Sequence, residues 1–160
     1  MAKLQLRFYE QKHYNDLVSY SLPEEQLYFT ALPLQVFERL EQREDDFAKA
    51  VTILLDEKPI GFFVLDFGED KMDLTKNENS LLLRSLSIDP KYQGEGYGKS
   101  AMLLMDSFVK EHYPIVEELV LAVNFKNKSA YNLYLKVGYI DDGSVREMEK
   151  GKQHLLRKQL

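Results

Sequence analysis

The chain has 160 residues, 44% of them hydrophobic and 29% charged, and a formal net charge of −5 at pH 7. That length and balance predict a single domain spanning 1–160 that buries its own core, and they leave no basic stripe for nucleic acid. With no cysteine there is no disulfide framework, thiol nucleophile or thiolate metal site, and the scattered His13, His112 and His154 make no ligand-like pair, so no metal is expected.

The first residues, Met-Ala-Lys-Leu-Gln-Leu, begin no long apolar run, and no later segment reaches the length of a membrane span; a cytoplasmic protein without a membrane partner is expected. Leu4, Leu6 and Phe8 alternate with polar residues as a half-buried strand. Gln11 to Tyr20 places Tyr14, Leu17 and Val18 on one helical face, and Pro23 interrupts it. Pro33 is suited to open a second helix whose Val36, Phe37 and Leu40 point inward. The run Asp56-Glu57-Lys58-Pro59 predicts the turn of an antiparallel hairpin over 47–67, followed by a polar loop over 68–79. Next come a strand at Leu81 to Ile88, a helix at Gly98 to Glu111, a strand at Leu119 to Val123 and a helix at Lys128 to Val137. A strand pair around Tyr139–Ile140 and Gln153–Arg157 ends the chain. The order β-α-α-β-β-β-α-β-α-β-β predicts an α/β fold with a mixed, mainly antiparallel sheet.

The most informative residues are Gln93-Gly94-Glu95-Gly96-Tyr97-Gly98-Lys99-Ser100, between an apolar strand and a helix whose Ala101, Leu104, Met105 and Phe108 share one face. Three glycines at alternate positions bare the backbone, and the helix adds its unpaired N–H groups and the positive end of its dipole. Such a turn suits a phosphate-bearing ligand; a tight glycine-rich turn with no ligand is the plainer alternative. Neither the P-loop spacing nor the dinucleotide fingerprint fits, since three residues separate Gly94 from Gly98-Lys99-Ser100 and the glycines run Gly-x-Gly-x-Gly. The pattern Gln93-x-x-Gly96-x-Gly98 resembles the acyl-CoA pyrophosphate loop of the GNAT superfamily of N-acetyltransferases. About thirty residues later, after an apolar strand, Asn127-x-x-Ala130-x-x-Leu133-Tyr134-x-Lys136-x-Gly138-Tyr139 resembles a second segment of that family, with Tyr139 in place of phenylalanine. The resemblance is strong from Ser80 to Tyr139 and is one of layout alone in the first half.

The resemblance implies a GNAT-like sheet with helices on both faces, acetyl-CoA as co-substrate, and transfer of an acetyl group to a primary amine. Gln93, Gly94, Gly96, Gly98 and Lys99 would then bind the pyrophosphate through backbone N–H groups, with Ser100 nearby. In the family the strand before the loop splays from its neighbour, which gives Leu86 and Ile88 backbone hydrogen bonds to the cofactor arm and the thioester carbonyl. By alternation one face of this strand offers Leu82, Arg84, Leu86 and Ile88 and the other Leu81, Leu83, Ser85 and Ser87, a pattern that an ordinary strand with polar residues at its solvated end would also show. Tyr134 becomes the general acid for the departing thiolate, a role its spacing alone cannot separate from that of a core tyrosine. Asn127 either caps its helix or reaches the cofactor arm.

One expected group is missing. Many family members carry a carboxylate on the strand before the loop, whereas Leu81 to Ile88 holds Arg84, Ser85 and Ser87. Glu78, Asp66, Glu24, Glu25 or a water chain lined by Ser85 or Ser87 are the candidates for deprotonating the amine. With no cysteine to carry an acyl group, direct attack in a ternary complex is expected. Tyr28 and Phe29 with Glu24, Glu25 and the acidic loop 68–79 suit a small cationic, polyamine-like acceptor, or else form a packing cluster beside a solvated loop. A protein amine as acceptor, and a non-catalytic module that binds or senses acyl-CoA, are the rival readings. The resemblance also makes a homodimer plausible.

Overall fold

The computed structural model describes residues 2–160. One seven-stranded sheet runs in the order β1-β2-β3-β4-β5-β7-β6. Its strands are β1 Leu4–Phe8, β2 Ala48–Leu55, β3 Lys58–Asp66, β4 Ser80–Ile88, β5 Glu118–Asn124, β6 Ile140–Met148 and β7 Gly151–Gln159. The helices are α1 Tyr14–Ser19, α2 Glu24–Leu27, α3 Pro33–Gln42, α4 Tyr97–His112 and α5 Lys128–Lys136. Every strand pairing is antiparallel except β4 with β5, because the α4 crossover returns the chain in the same direction. The order matches the sequence expectation, with α2 as an added single turn after Pro23. The final hairpin is longer than its apolar residues suggest, because β6 is an exposed edge strand with no buried face to mark it.

Two apolar clusters cover the two faces of the sheet. On one face Leu17 of α1 with Val36 and Phe37 of α3 pack on Ala50, Phe62 and Val64. On the other, α4 buries Ala101, Met102, Met105, Phe108 and Val109 against Val51, Ile53, Phe63 and Leu65, with α5 packed on the same cluster. Leu104, expected inward, is 38% exposed; the stripe is centred one residue away, so Met102 takes the buried place. By area, each fully buried Leu, Met or Phe stabilises the fold by about 1.5–3 kcal/mol.

β4 departs most from simple alternation. Arg84 lies opposite Val64 and Ser87 opposite Phe62, so Ser85 and Leu86 together face Phe63 alone. This is a β-bulge, with Ser85 at φ 62°. The extra residue reverses the side-chain alternation. Leu81, Leu83, Leu86 and Ile88 therefore all meet the α4 face, whereas the Ser87 hydroxyl bonds to the Tyr20 hydroxyl at 2.8 Å on the opposite face. Strict alternation had grouped Leu82 with Leu86 and Ile88; the bulge corrects that grouping.

Asp66, at the end of β3, is fully buried. Burial alone would raise its pKa, but hydrogen bonds from Arg43 (2.6 Å) and the Gly68 N–H (2.9 Å), with Arg84 at 3.2 Å, outweigh it and hold the carboxyl below its usual range. A group whose folded pKa is lowered stabilises the fold above its unfolded value, near pH 4, and loses that contribution as pH falls through the folded value. Asp66→Asn should therefore cost about 3 kcal/mol at neutral pH and show less of a difference from the parent chain at pH 2–3 than at pH 7. Thermal melts across that range check both outcomes.

Candidate active site

β4 and β5 are joined only at Ser80–Glu118, Leu81–Leu119 and Leu82–Val120. Beyond Leu82 the two strands part, and each keeps only its other neighbour: β3 for β4, and β7 for β5 as far as Asn124. The Asp89 N–H bonds to the Ile60 carbonyl at 2.7 Å, so the peptide groups of Ile88, one residue back, face away from β3 into the opening. There the Ile88 carbonyl accepts the Gln93 side-chain amide at 2.7 Å, while the bulge takes the backbone of Ser85 and Leu86 out of the regular ladder. The site is thus a wedge between parallel strands, lined on its β4 side by peptide groups outside the sheet.

The glycine loop closes one end of the wedge. A 3-10 turn at Pro90–Tyr92, capped by Asp89 accepting from the Lys91 N–H, leads into it. Gly94 and Gly96 adopt φ 82° and 83°, the left-handed region that favours glycine, and Gly96 is the N-cap of α4. The first backbone hydrogen bond of α4 runs from the Ser100 N–H to the Gly96 carbonyl at 3.0 Å. Among the described residues no backbone acceptor is paired with the N–H groups of Gly94 through Lys99. Gly98 differs from the other two, for its helical φ needs no glycine, and a Cβ there would meet only Leu133 Cδ2 at 4.0 Å. Glycine in a first helical turn costs about 1 kcal/mol relative to alanine, so its bareness suits a ligand's approach rather than the local backbone. Six free N–H groups at the N-terminus of a sixteen-residue helix fit a pyrophosphate.

One expected donor is used otherwise. The Gln93 N–H bonds to the Pro90 carbonyl at 3.2 Å, and the Gln93 side chain forms a reciprocal amide pair with Gln26 of α2 (2.9 and 3.0 Å). Gln93 therefore braces the loop against Ile88 and α2 instead of offering its N–H. The Ser100 N–H is taken up by the helix, which leaves its exposed hydroxyl beside the loop. Asn127 is the N-cap of α5, its Oδ1 accepting from the Ala130 N–H at 3.3 Å, so capping accounts for it.

Tyr134 sits on the face of α5 that packs against the α4-side cluster, its ring edge-on to Tyr139 at 5.8 Å. The residue is half-buried, and burial pushes its pKa up to about 12. Lys158 fixes this helix from β7, bonding the Val137 carbonyl at 2.6 Å and Asp106 of α4 at 2.7 Å. The second Asp106 carboxylate oxygen and the Tyr139 hydroxyl are buried without a partner.

On the α1–α3 face of β4 lies a cavity of about 230 Å³, bordered by Ser85 of the bulge, Arg84, Val64, Arg39, Arg43 and Asp70. The β6–β7 turn is tied to the residue after α2, since Lys150 donates to the Tyr28 carbonyl at 2.6 Å and stands 5.0 Å over the Tyr28 ring. The Asn124 side chain, at the end of β5, holds the same turn through the Lys150 carbonyl (3.1 Å). Gln26, Asn124 and Lys150 had no local signal in the sequence; each acts on a partner far away in the chain.

The comparisons agree with this geometry. Residues 13–139 match the acetyltransferase (GNAT) family. The chain belongs to that family. It is 37% identical over 154 residues to the uncharacterized N-acetyltransferase YbbJ of Bacillus subtilis, covering 96% of this chain and 95% of the relative. Among solved structures it resembles an uncharacterized protein from Bacillus halodurans (TM-score 0.80, 17% identity, 99% and 84% of the two chains). It also resembles the aminoglycoside acetyltransferase AAC(6')-Ib in complex with coenzyme A (TM-score 0.78, 14% identity, 98% and 95%). A third is the spermidine N-acetyltransferase from Vibrio cholerae in complex with CoA and spermine (TM-score 0.73, 15% identity, 98% and 95%). At those identities the solved structures speak for the fold. The family match makes this chain a GNAT-type acetyltransferase.

Gly98→Val places a side chain in the cradle without straining the backbone. It should leave the melting temperature unchanged or slightly raised, because valine is a better helix former than glycine, and weaken coenzyme A binding at least about tenfold, the size of one lost charge-assisted hydrogen bond. Calorimetry with coenzyme A on the folded variant is the check. Undiminished affinity would place the cofactor's phosphates elsewhere.

Proposed function

We propose that this chain transfers the acetyl group of acetyl-CoA to the primary amine of a small-molecule acceptor by direct attack in a ternary complex. The observation that carries the reading is the wedge itself, with unpaired N–H groups at one end, backbone outside the ladder at Ser85 and Leu86, and Tyr134 of α5 packed on the same cluster as Leu86 and Ile88. Acetyl-CoA supplies an acyl group already activated as a thioester. Gly94 through Lys99 bind its phosphates with backbone N–H groups and the α4 dipole. The Leu86 and Ile88 backbone orients the pantetheine arm, and an N–H at the bulge stabilises the charge that builds on the carbonyl oxygen as the amine nitrogen bonds to carbon. Tyr134 holds a proton at its hydroxyl for the sulfur as the carbon–sulfur bond breaks.

The raised pKa of Tyr134 bears on that last step. A phenol near 12 gives a proton uphill to an ordinary thiolate, whose conjugate acid lies near 8.5. Within the same wedge, burial also raises the pKa of the sulfur, and this narrows the difference. For the amine proton, Asp66 is buried and paired with two arginines, and Glu24, Glu25 and Glu78 are exposed. Water at the bulge beside Ser85 is the route consistent with these placements.

The acceptor reading is held at the level of a small amine. The spermidine enzymes among the similar structures speak for a polycation. Against that, Tyr28 already faces Lys150, and Asp70 is paired with Arg84 at 3.0 Å. The same chemistry would act on a protein amine only if the acceptor reached past the β6–β7 turn.

Tyr134→Phe should lower kcat by about a hundredfold to ten-thousandfold, the usual range for general acid catalysis, with acetyl-CoA affinity nearly unchanged. Because the raised pKa keeps the proton on oxygen, the parent enzyme should lose no rate to Tyr134 ionisation below about pH 11. Thiol release from acetyl-CoA over an amine panel and a pH series measures both. A stable, fully active Tyr134→Phe chain rules the role out, and tight CoA binding without turnover on any amine favours a sensing module.

A further inference from the structure

β4 and β5 are parallel, so both leave the wedge at the same end, β4 at Ile88 and β5 at Asn124. Parted in the sheet, they are rejoined there by a route outside it. The Ile88 carbonyl accepts the Gln93 side-chain amide at 2.7 Å. Gln93 and Gln26 exchange two amide hydrogen bonds, 2.9 and 3.0 Å, which carries the route into α2. Tyr28 follows α2, and its carbonyl accepts from Lys150 Nζ at 2.6 Å. The Lys150 carbonyl in turn accepts the Asn124 side-chain amide at 3.1 Å, and the route ends on β5.

Apolar packing does little to hold the middle of this route. α2 is a single turn of four residues and buries none of them; Leu27 alone packs in part on the α1–α3 cluster. A helix that short has no stability of its own in water, so its position is set by what it is tied to. On the glycine-loop side the tie is one amide: the Gln93 oxygen accepts from Gln26, and its nitrogen donates to both Gln26 and Ile88. On the other side it is the Lys150 ammonium, bonded to the Tyr28 carbonyl and 5.0 Å over the Tyr28 ring. Segments held by a few polar contacts open at low free energy, and a ligand that orders one anchor restricts the whole segment. Gln93 stands at the start of the glycine loop. Ordering that loop fixes Gln93, Gln93 fixes Gln26, and α2 passes the constraint to Tyr28 and the β6–β7 turn.

We propose that Gln26 and Lys150 are positioning residues: they hold α2 as a strap across the end of the wedge and couple cofactor binding at the glycine loop to the order of the opposite rim. The acceptor then meets a rim that the cofactor has already set. This rests on the reading of the glycine loop as the cofactor's phosphate site. Neither residue acts in the chemistry at sulfur.

Amide hydrogen exchange on the full chain, with and without saturating coenzyme A, reads the coupling. The amides of Gln26 through Thr30 all have backbone acceptors, so their exchange reports opening of the strap. Coenzyme A should slow exchange at 94–99 and also at 26–30, the latter by about threefold to tenfold, the range of one hydrogen bond. In Gln26→Leu the slowing at 94–99 should persist and that at 26–30 should disappear. Gln26→Glu combined with Gln93→Arg puts an ion pair in place of the amide pair and should restore it. Lys150→Met, which removes the second anchor, should speed exchange at 26–30 by a similar factor without coenzyme A. Slowing at 26–30 that survives Gln26→Leu, or slowing confined to 94–99 in the parent chain, overturns the proposal. So does a loss in Gln26→Leu that the charged pair fails to restore, or exchange at 26–30 that Lys150→Met leaves unchanged. Absence of slowing anywhere, with no heat of coenzyme A binding by calorimetry, overturns the cofactor reading itself.

Discussion

Everything in this molecule that bears on chemistry depends on the failure of β4 and β5 to stay paired beyond Leu82. Two parallel strands that separate leave backbone donors and acceptors without partners, and a fold tolerates such groups only where something else satisfies them. Here part of the demand is met internally. The Gln93 amide caps the Ile88 carbonyl, and the Asn124 side chain satisfies the Lys126 N–H and the Lys150 carbonyl. The N–H groups from Gly94 to Lys99, at the exposed N-terminal end of α4, have no backbone acceptor. The wedge therefore follows from where the fold accounts for its polar groups and where it does not.

The wedge is held open by parts distant in sequence. The bulge at Ser85 turns β4 just where it leaves β5, and it lets four apolar residues of one strand share a face while Ser87 bonds Tyr20 on the other. Lys158 joins the end of α5 to α4 and so fixes the helix that carries Tyr134. The reciprocal Gln26–Gln93 pair ties the glycine loop to α2. Each is a contact between elements that already pack for apolar reasons, so the polar groups set alignment more than stability.

Charge is arranged with the same economy on the α1–α3 face of β4. Buried Asp66 is shared by Arg43 and Arg84, which pair further with Asp45 and Asp70, so the strand expected to carry a carboxylate carries a guanidinium. On that strand the cavity meets the Arg84 guanidinium and Ser85, and no carboxylate of β4. The β6–β7 turn is anchored on Tyr28 through Lys150, and the Asn124 side chain at the end of β5 holds the same turn.

The sequence by itself determined the elements and the glycine cradle. Both are local: alternation and helical spacing report burial over a few residues, and Gly94, Gly96 and Gly98 report backbone that must turn or stay bare. The order of strands and helices, the inward face of α5 and the place of Tyr134 on it were legible for that reason. What alternation could not register was the bulge, since a single φ of 62° at Ser85 reverses the faces of every residue after it. The role of Gln93 as a brace and the burial of Asp66 against Arg43 and Arg84 were decided only by tertiary structure. Each depends on a partner brought from elsewhere in the chain, and hydrogen bonds and ion pairs act over a few ångströms of space, a distance the order of residues does not encode.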